Sequence, residues 1–597
     1  MCGFVGVASR KNINNTLIED ADKFLICRGP DDQKWSENSL EKCKTLFSFH
    51  RLSIIDLSYE ASQPMSSEKY NTEILFNGEI YNHIELRNEM ESSGIKFSTS
   101  HSDTETLLLG LSEYGNKFIE KVDGQFSVVL LNKNNNTITL FRDRLGQKPL
   151  YYYFDEDNFV FSSNFKSVLS YKKSFKLDES QISNFLELGC IPAPHTLDKE
   201  IKKLLPAEIL EFSTEKFSIT IKNKYWRIED YVDSKKFEKA KFFDLFNKSV
   251  QKRQLSDVPL ANLLSGGIDS TSIIKSQFEN TGNSINTFTI KNTEKQYNES
   301  EWASTVATCY KTNHHEVEIN GKDLSVDPFE IIRCFDEPYS DPSIFPSHII
   351  YKNISKKFKV ALSGDGGDEL LGGYKKIIIS MKRGFLPSVI VKVLFKLYPA
   401  KYGTAGWLSN IASSPELSYL LLTTDKKLLD LLSLKRKLNF KENYFFNSAD
   451  KLKKLIISDY KFYFSEQMLL KVDRTSMANS LEVRSPFLDH KLIEYVLSTN
   501  FSFFDKRKSK SLLKQYLNED FNDEFLNRDK MGFVFDLENW IYSNEEDLIN
   551  IISKSPIFKE SNFKKLFKIK TRINAIRILK ILTLSIFLDD YISISTK

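Results

Sequence analysis

Residues 258–278 read VPLANLLSGGIDSTSIIKSQF: an apolar run ends at Leu264, Ser265-Gly266-Gly267 follows, and an amphipathic helix pattern begins near Asp269 and Ser270. A strand that passes through a glycine turn straight into a helix points to a largely parallel sheet with helices on its faces. Glycines at such a turn admit a ligand to the backbone, and the new helix offers free N–H groups to an anion. The lysine of the GxxxxGK[ST] phosphate loop is missing, and one such turn can be purely structural. A second segment, FKVALSGDGGDELLGGY, repeats the plan and places Asp365, Asp368 and Glu369 in its loop. Two such turns at the carboxyl ends of sheet strands define a crevice where α/β folds bind ligands. Asp269 and Asp368 are hard oxygen donors, suited to holding Mg2+ against a pyrophosphate.

The first 170 or so residues follow a different rhythm. Short strand-like runs such as KTLFSFHRLSII, TEILFNGEIYNH and PLYYYFDEDNFVFSS alternate with turns, and NKNNN separates two β-rich runs in the manner of a hairpin. One helix-like segment, IELRNEMESSG, ends at a glycine. A connecting stretch with three prolines, LGCIPAPHTLDKEIKKLLPAEILEF, precedes the change of pattern, and the last 200 residues are mostly helical by periodicity. At 597 residues the chain is too long for one core. The expected division is a strand-rich α+β unit over 1–215, a linker over 216–240, and an α/β unit with a helical C-terminal part over 241–597.

Composition excludes several classes. The net charge of +4 is negligible at this size, and lysines are scattered among acids, with no basic block interleaved with aromatics to suggest nucleic acid. The six cysteines show no CxxC or metal spacing and read as reduced thiols of a cytoplasmic protein. LPSVIVKVLFKLY and IRILKILTLSIFL are broken by lysine and fall short of the roughly 18 apolar residues a spanning helix needs. They are expected to be buried or amphipathic helices rather than membrane contacts, so no integral membrane segment is predicted.

The chain opens MCGFVGVASR. Phe4 to Val7 read as a buried first strand, and Cys2 is small and hydrophobic enough to pack beside it. Removal of Met1, however, would leave Cys2 as the N-terminal residue, its thiol beside its own α-amine.

Taken in order, SGGIDS, LSGDGGDELLGGY, LLKVDRTSMANSLEVRSPFLDH and RDKMGF resemble the glutamine-dependent asparagine synthetases and their amidotransferase relatives. In the first half RGPDD, FHRLSIIDL, NGEIYNH and SDTE are similar to the same family's glutaminase motifs. The resemblance implies an N-terminal nucleophile fold, two packed β-sheets flanked by helices, followed by a pyrophosphate-loop synthetase. It implies glutamine, ATP with Mg2+, and an acceptor carboxylate as ligands, activation of that carboxylate as an acyl-adenylate, and ammonia passing between the sites through an internal channel. A homodimer is compatible with it.

Carried over by position, Cys2 is the nucleophile and its α-amine, with an unperturbed pKa near 8, the proton shuttle. Asn77 and the Gly78 N–H form the oxyanion hole, and Arg51, with its planar fork, holds the α-carboxylate. Asp103, with Glu79 close by, receives the ammonium; Ile54 and Ile55 complete the glutamine site. Leu263, Ser265, Gly266, Gly267, Asp269, Ser270, Ile290, Ser363 and Gly364 are the ATP positions, Asp269 and Asp368 the metal ligands. Lys530 stabilises charge developing during adenylation.

Three departures touch the acceptor. The loop SGDGGDE has Asp365 where asparagine synthetases more often have glutamate and Gly367 where they have another small residue, Cys27 precedes RGPD in place of histidine, and KMGFVFD lacks a proline many relatives carry. Aspartate is the acceptor expected first and a uronic acid of a surface polysaccharide second. A glutaminase or regulatory scaffold with an inactive second unit is the reading from another class, opposed by the intact Asp269, Asp368 and Lys530.

Overall fold

The computed structural model describes residues 2–281, 284–292, 298–319, 326–382, 384–435, 445–448, 450–504, 510–528, 535–559 and 561–596. The first part is built on two six-stranded antiparallel sheets. One runs in the order Lys202–Lys203, Tyr151–Phe154, Asn158–Ser162, Gly3–Ser9, Lys44–Arg51, Asp32–Ser39. The other runs Ser218–Lys224, Glu208–Ser213, Thr137–Arg142, Gly124–Asn132, Thr72–Ile80, Met65–Ser67. Alternation along each strand decides what each face meets. Phe4, Ala8, Phe47, Phe161, Leu75, Val129 and Leu140 point between the sheets and form their common core. Gly6 lies on that inner face because a Cβ there would sit 2.2 Å from the Phe161 ring, which packs edge-on to Phe47.

The outer faces carry helices. Phe76, Val128 and Leu130 meet Leu86 and Met90 of His83–Ser92 and Leu107 and Leu108 of Asp103–Tyr114. Val7 meets Ile18 of Asn15–Asp22 and Val168 of Phe165–Lys172. The result is the helix–sheet–sheet–helix sandwich expected from the sequence. Its second sheet runs past residue 215, where the linker was expected to begin, because Ser218–Lys224 folds back on Glu208–Ser213 as a hairpin. Most of that edge strand is exposed, and with Ile219 and Ile221 its only apolar residues it reads as linker.

The second part holds a five-stranded parallel sheet in the order Asn313–Ile319, Asn286–Asn292, Leu260–Leu263, Val360–Leu362, Glu482–Arg484. Chain order runs outward from Leu260–Leu263 in both directions, which puts the switch point between that strand and Val360–Leu362. Both glycine turns therefore leave neighbouring strands at the same end.

Helices complete the fold. Arg572–Thr596, which contains IRILKILTLSIFL, is buried over most of its length, and Lys580 Nζ donates to the carbonyls of Leu186 and Glu187 in the first part. Ser388–Leu397, from LPSVIVKVLFKLY, buries only Val391. Among the described residues no helix is long and apolar enough to cross a membrane.

Candidate active site

Cys2 lies at the start of the strand Gly3–Ser9 and is 7% exposed. Its backbone N–H donates to Asn77 Oδ1 at 3.0 Å, and its carbonyl accepts from Arg28 Nε at 3.1 Å. The main chain beside the thiol is thus held from both sides. Burial pushes the Cys2 thiol up, opposed by the N-terminal charge, the Leu52 N–H and Arg51. Gly78 pairs across the sheet with Phe126, and a Cβ there would lie 2.0 Å from the Gln125 carbonyl, so only glycine fits.

Arg51 ends the strand Lys44–Arg51 and donates to the carbonyls of Ser58 at 2.8 Å and Asp56 at 2.5 Å. Among the described residues it has no carboxylate partner, so a buried guanidinium keeps its full charge for an incoming anion. Asp103, the first residue of its helix, accepts the Ile80 N–H at 3.2 Å, and burial lifts its carboxyl to about 6. Glu79 lies near enough to feel Asp103, and burial raises it well above the usual carboxylate range. Its Oε2 meets Arg484 Nη2 at 2.9 Å, while its buried Oε1 has no hydrogen-bond partner among the described residues. A cation with N–H donors would satisfy that oxygen. Ile54 and Ile55 cluster with Leu52, Val360 and Met477, so their side chains pack toward the parallel sheet.

At the nucleotide crevice the two loops touch. A Cβ on Gly364 would be 3.1 Å from Asp269 Cβ, and one on Gly367 would be 2.7 Å from Asp269 Oδ1. Gly266 has φ +70°, with the Trp302 and Ala303 backbone 2.8 Å from a would-be Cβ. Gly267 N–H donates to Ser265 Oγ at 3.2 Å, and Ser270 Oγ to the Gly267 carbonyl at 3.1 Å. Ser363 Oγ donates to Asp365 Oδ2 at 2.8 Å. Leu263 and Ile290, half-buried on adjacent strands, form an apolar shelf beside the loops.

Sequence reasoning missed Lys510. Its ammonium bridges Asp269 and Asp368, 2.6 Å from Asp368 Oδ1. Two carboxylates that share one cation in this way suit Mg2+, which takes its remaining ligands from phosphate and water. No larger cluster of metal-ligating side chains occurs among the described residues. Lys530 lies outside the described residues. Arg528, which opens RDKMGF, donates to the Gly266 carbonyl and brings that motif's start to the first loop.

The two centres meet along a buried polar seam. Arg28 makes a bidentate pair with Asp473 at 2.9 and 3.1 Å, and Arg474 reaches Asp336 at 2.8 Å and the Tyr151 hydroxyl at 2.6 Å. Glu337 takes Tyr151 and Lys203. Asp336 and Glu337 are thus engaged between the two parts. Arg484 pairs with Glu482 and Glu79, its carbonyl accepts the Ser363 N–H at 2.9 Å, and Ser485 Oγ donates to the Asp365 carbonyl. Between the centres lies a narrow cavity of about 20 Å3, lined by Gln125, Gln147 and Lys148 on one side and Ser363, Asp365 and Asp473 on the other. That is room for about one water-sized molecule.

The sandwich docks on the parallel α/β unit, and the family matches define the pair as a glutamine amidotransferase unit joined to a ligase unit. Residues 1–226 match the glutamine amidotransferase domain family and residues 241–571 the asparagine synthase family. Asparagine synthetase [glutamine-hydrolyzing] 1 of Bacillus subtilis (strain 168) is 30% identical over 582 residues, covering 93% of this chain and 90% of the relative. The same organism's asparagine synthetase [glutamine-hydrolyzing] 3 is 29% identical, covering 89% and 87%. A putative asparagine synthetase [glutamine-hydrolyzing] 2 of Methanocaldococcus jannaschii is 32% identical over 414 residues, covering 65% and 78%. The chain belongs to the glutamine-hydrolysing asparagine synthetase family and is a carbon–nitrogen ligase of that type.

Proposed function

We propose that this enzyme hydrolyses glutamine at Cys2, adenylates an acceptor carboxylate with ATP at the paired glycine loops, and joins the two with release of AMP and pyrophosphate. Aspartate is the acceptor, giving asparagine. The observation that carries this reading is the shared seam: one narrow cavity touches Gln125, the cross-strand partner of Glu79, and Ser363 of the second loop.

With Met1 removed, the Cys2 α-amine takes the thiol proton and the sulfur attacks the glutamine amide. Asn77 Oδ1 faces that nitrogen, which leaves Nδ2 as the donor to the tetrahedral oxyanion, with the Gly78 N–H beside it. Arg51 holds the substrate carboxylate; Asp103 and the open oxygen of Glu79 take its ammonium. The α-amine then returns its proton to the leaving nitrogen, and water hydrolyses the thioester.

In the second centre, Ser265 to Gly267, Ser270, Ser363 and Gly364 cradle the phosphates. Asp269 and Asp368 would hold Mg2+, which when bound neutralises charge on the pyrophosphate. Lys510, already between these acids, and Lys530 supply further positive charge. Ammonia attacks the acyl-adenylate carbonyl and expels AMP.

The second reading, a uronic acid acceptor, rests on Asp365 and Gly367, which reshape the second loop by small changes of side chain. Pyrophosphate release with glutamine and a panel of acceptors decides between them. Release that requires aspartate supports the proposal; release that requires a sugar acid transfers it to the second reading; release with no acceptor dependence refutes both.

A further inference from the structure

The helix Ser388–Leu397 has two apolar faces. Val391, with Leu394 and Phe395, packs inward on Ala405, Leu408 and Leu421. Val389, Val393 and Leu397 are spaced one turn apart on the other side, and they are 73%, 53% and 73% exposed. Phe385, just before the helix, is 77% exposed, and Tyr402 and Trp407, just after it, are 58% and 53% exposed. Exposed apolar side chains are ordinary when scattered, but a contiguous stripe of this kind marks a contact surface.

Charge says what the contact is. Residues 375–415 contain seven Lys or Arg and no Asp or Glu, in a chain with 79 acids. Residues 561–588 also contain seven and none, although Lys376, Arg577 and Lys580 of these two sets turn inward, the first two onto Asp459 and Asp425 and the third onto main-chain carbonyls. The two segments converge: Arg577 Nη1 donates to the Ala400 carbonyl at 2.8 Å, and Ile573 lies 3.3 Å from the Cβ position of Gly403. Lys392 and Lys396 edge the apolar stripe, and Lys564, Lys565, Lys568 and Lys570 stand exposed on the neighbouring segment.

We propose that this face lies on an anionic lipid bilayer. A ten-residue helix about 15 Å long is too short to span but suited to lie in the interface plane. Its aliphatic stripe enters the acyl boundary, Tyr402 and Trp407 sit at headgroup level, and the lysines meet the acidic headgroups. A second copy fits poorly, because a two-fold contact would set the same lysines against each other. Nucleic acid would leave the aliphatic stripe uncovered. The inference is independent of the acceptor's identity.

Flotation of the full-length enzyme with phosphatidylcholine vesicles, with and without phosphatidylglycerol, tests it. The enzyme should float with the phosphatidylglycerol vesicles, at least about tenfold more weakly with phosphatidylcholine alone, and less as salt rises. The double variant Val389→Glu, Val393→Glu should lose about tenfold or more of the binding while its thermal melt and glutaminase rate stay at wild-type values. Lys392→Gln with Lys396→Gln should reduce binding by a smaller factor and weaken its salt dependence. Failure to float, equal flotation of wild type and the glutamate variant, or a concentration-dependent dimer dissolved by that variant would overturn the proposal.

Discussion

In the proposed glutamine pocket Arg51 spends its donors mainly on two carbonyls and keeps its charge, whereas in the proposed nucleotide crevice Asp269 and Asp368 already share a cation, the ammonium of Lys510. On the proposed reading an amino acid would enter the first without displacing a cation, and a metal–nucleotide complex would have to displace or share Lys510 in the second. The difference teaches how each centre tolerates the absence of its ligand. The first has its positive charge solvated by loop carbonyls, and burial makes its acids take up protons more readily, Asp103 at about 6 and Glu79 well above the usual carboxylate range. The second neutralises its acids with a side chain from more than a hundred residues away in sequence.

Cys2→Ala breaks the comparison most severely. Glutamine-dependent synthesis should fall by at least about a thousandfold, while synthesis from ammonium salts stays within a small factor. Loss of both reactions together would show that the two pockets are not separate centres. Asp368→Asn is the mirror experiment. It should cut acceptor-dependent pyrophosphate release by about a hundredfold or more and spare glutamine hydrolysis, as followed by glutamate formation.

The proton-based neutralisation has a pH signature. Asp103 is ionised at neutral pH and takes up a proton as the pH falls through about 6, so it loses its attraction for the substrate ammonium on the acid side. kcat/KM for glutamine should fall below that pH, and Asp103→Asn should lower the neutral value by about tenfold and flatten the acid limb. An unchanged limb would assign it to another group. Removing Arg484 tests the contact between the pockets, because Glu79 and Glu482 would then be buried without their shared partner. Arg484→Met should cost about 3–5 kcal/mol in thermal or denaturant unfolding. Arg28→Lys, which keeps the charge but loses the bidentate fork on Asp473, should cost about 1–2 kcal/mol.

Much of this was legible in the sequence, and the reasons for the rest are physical. Patterning of period two and the NKNNN turn located the hairpin of Gly124–Asn132 and Thr137–Arg142, because both strands alternate against a buried face. The glycine turns located the crevice, since close approach leaves no other residue type. The strand Ser218–Lys224 was lost because this edge strand carries only two apolar residues, Ile219 half-buried and Ile221 exposed, among polar ones. Lys510 and the Glu79–Arg484 pair were invisible for a different reason: a charge gives no hint of its partner when the two lie hundreds of residues apart. Ser388–Leu397 shows the converse limit. Apart from Lys392 and Lys396 its residues are apolar nearly all round, and only packing reveals which side is left open.

The helix Arg572–Thr596 reaches back to the first sandwich, where Lys580 takes the Leu186 and Glu187 carbonyls and Tyr591 packs at a tilt on Phe165. Lys580 and Leu186 are 394 residues apart in sequence. The sandwich can form its sheets early in synthesis, yet its outer helices gain these neighbours only after the strands of the parallel sheet have been translated.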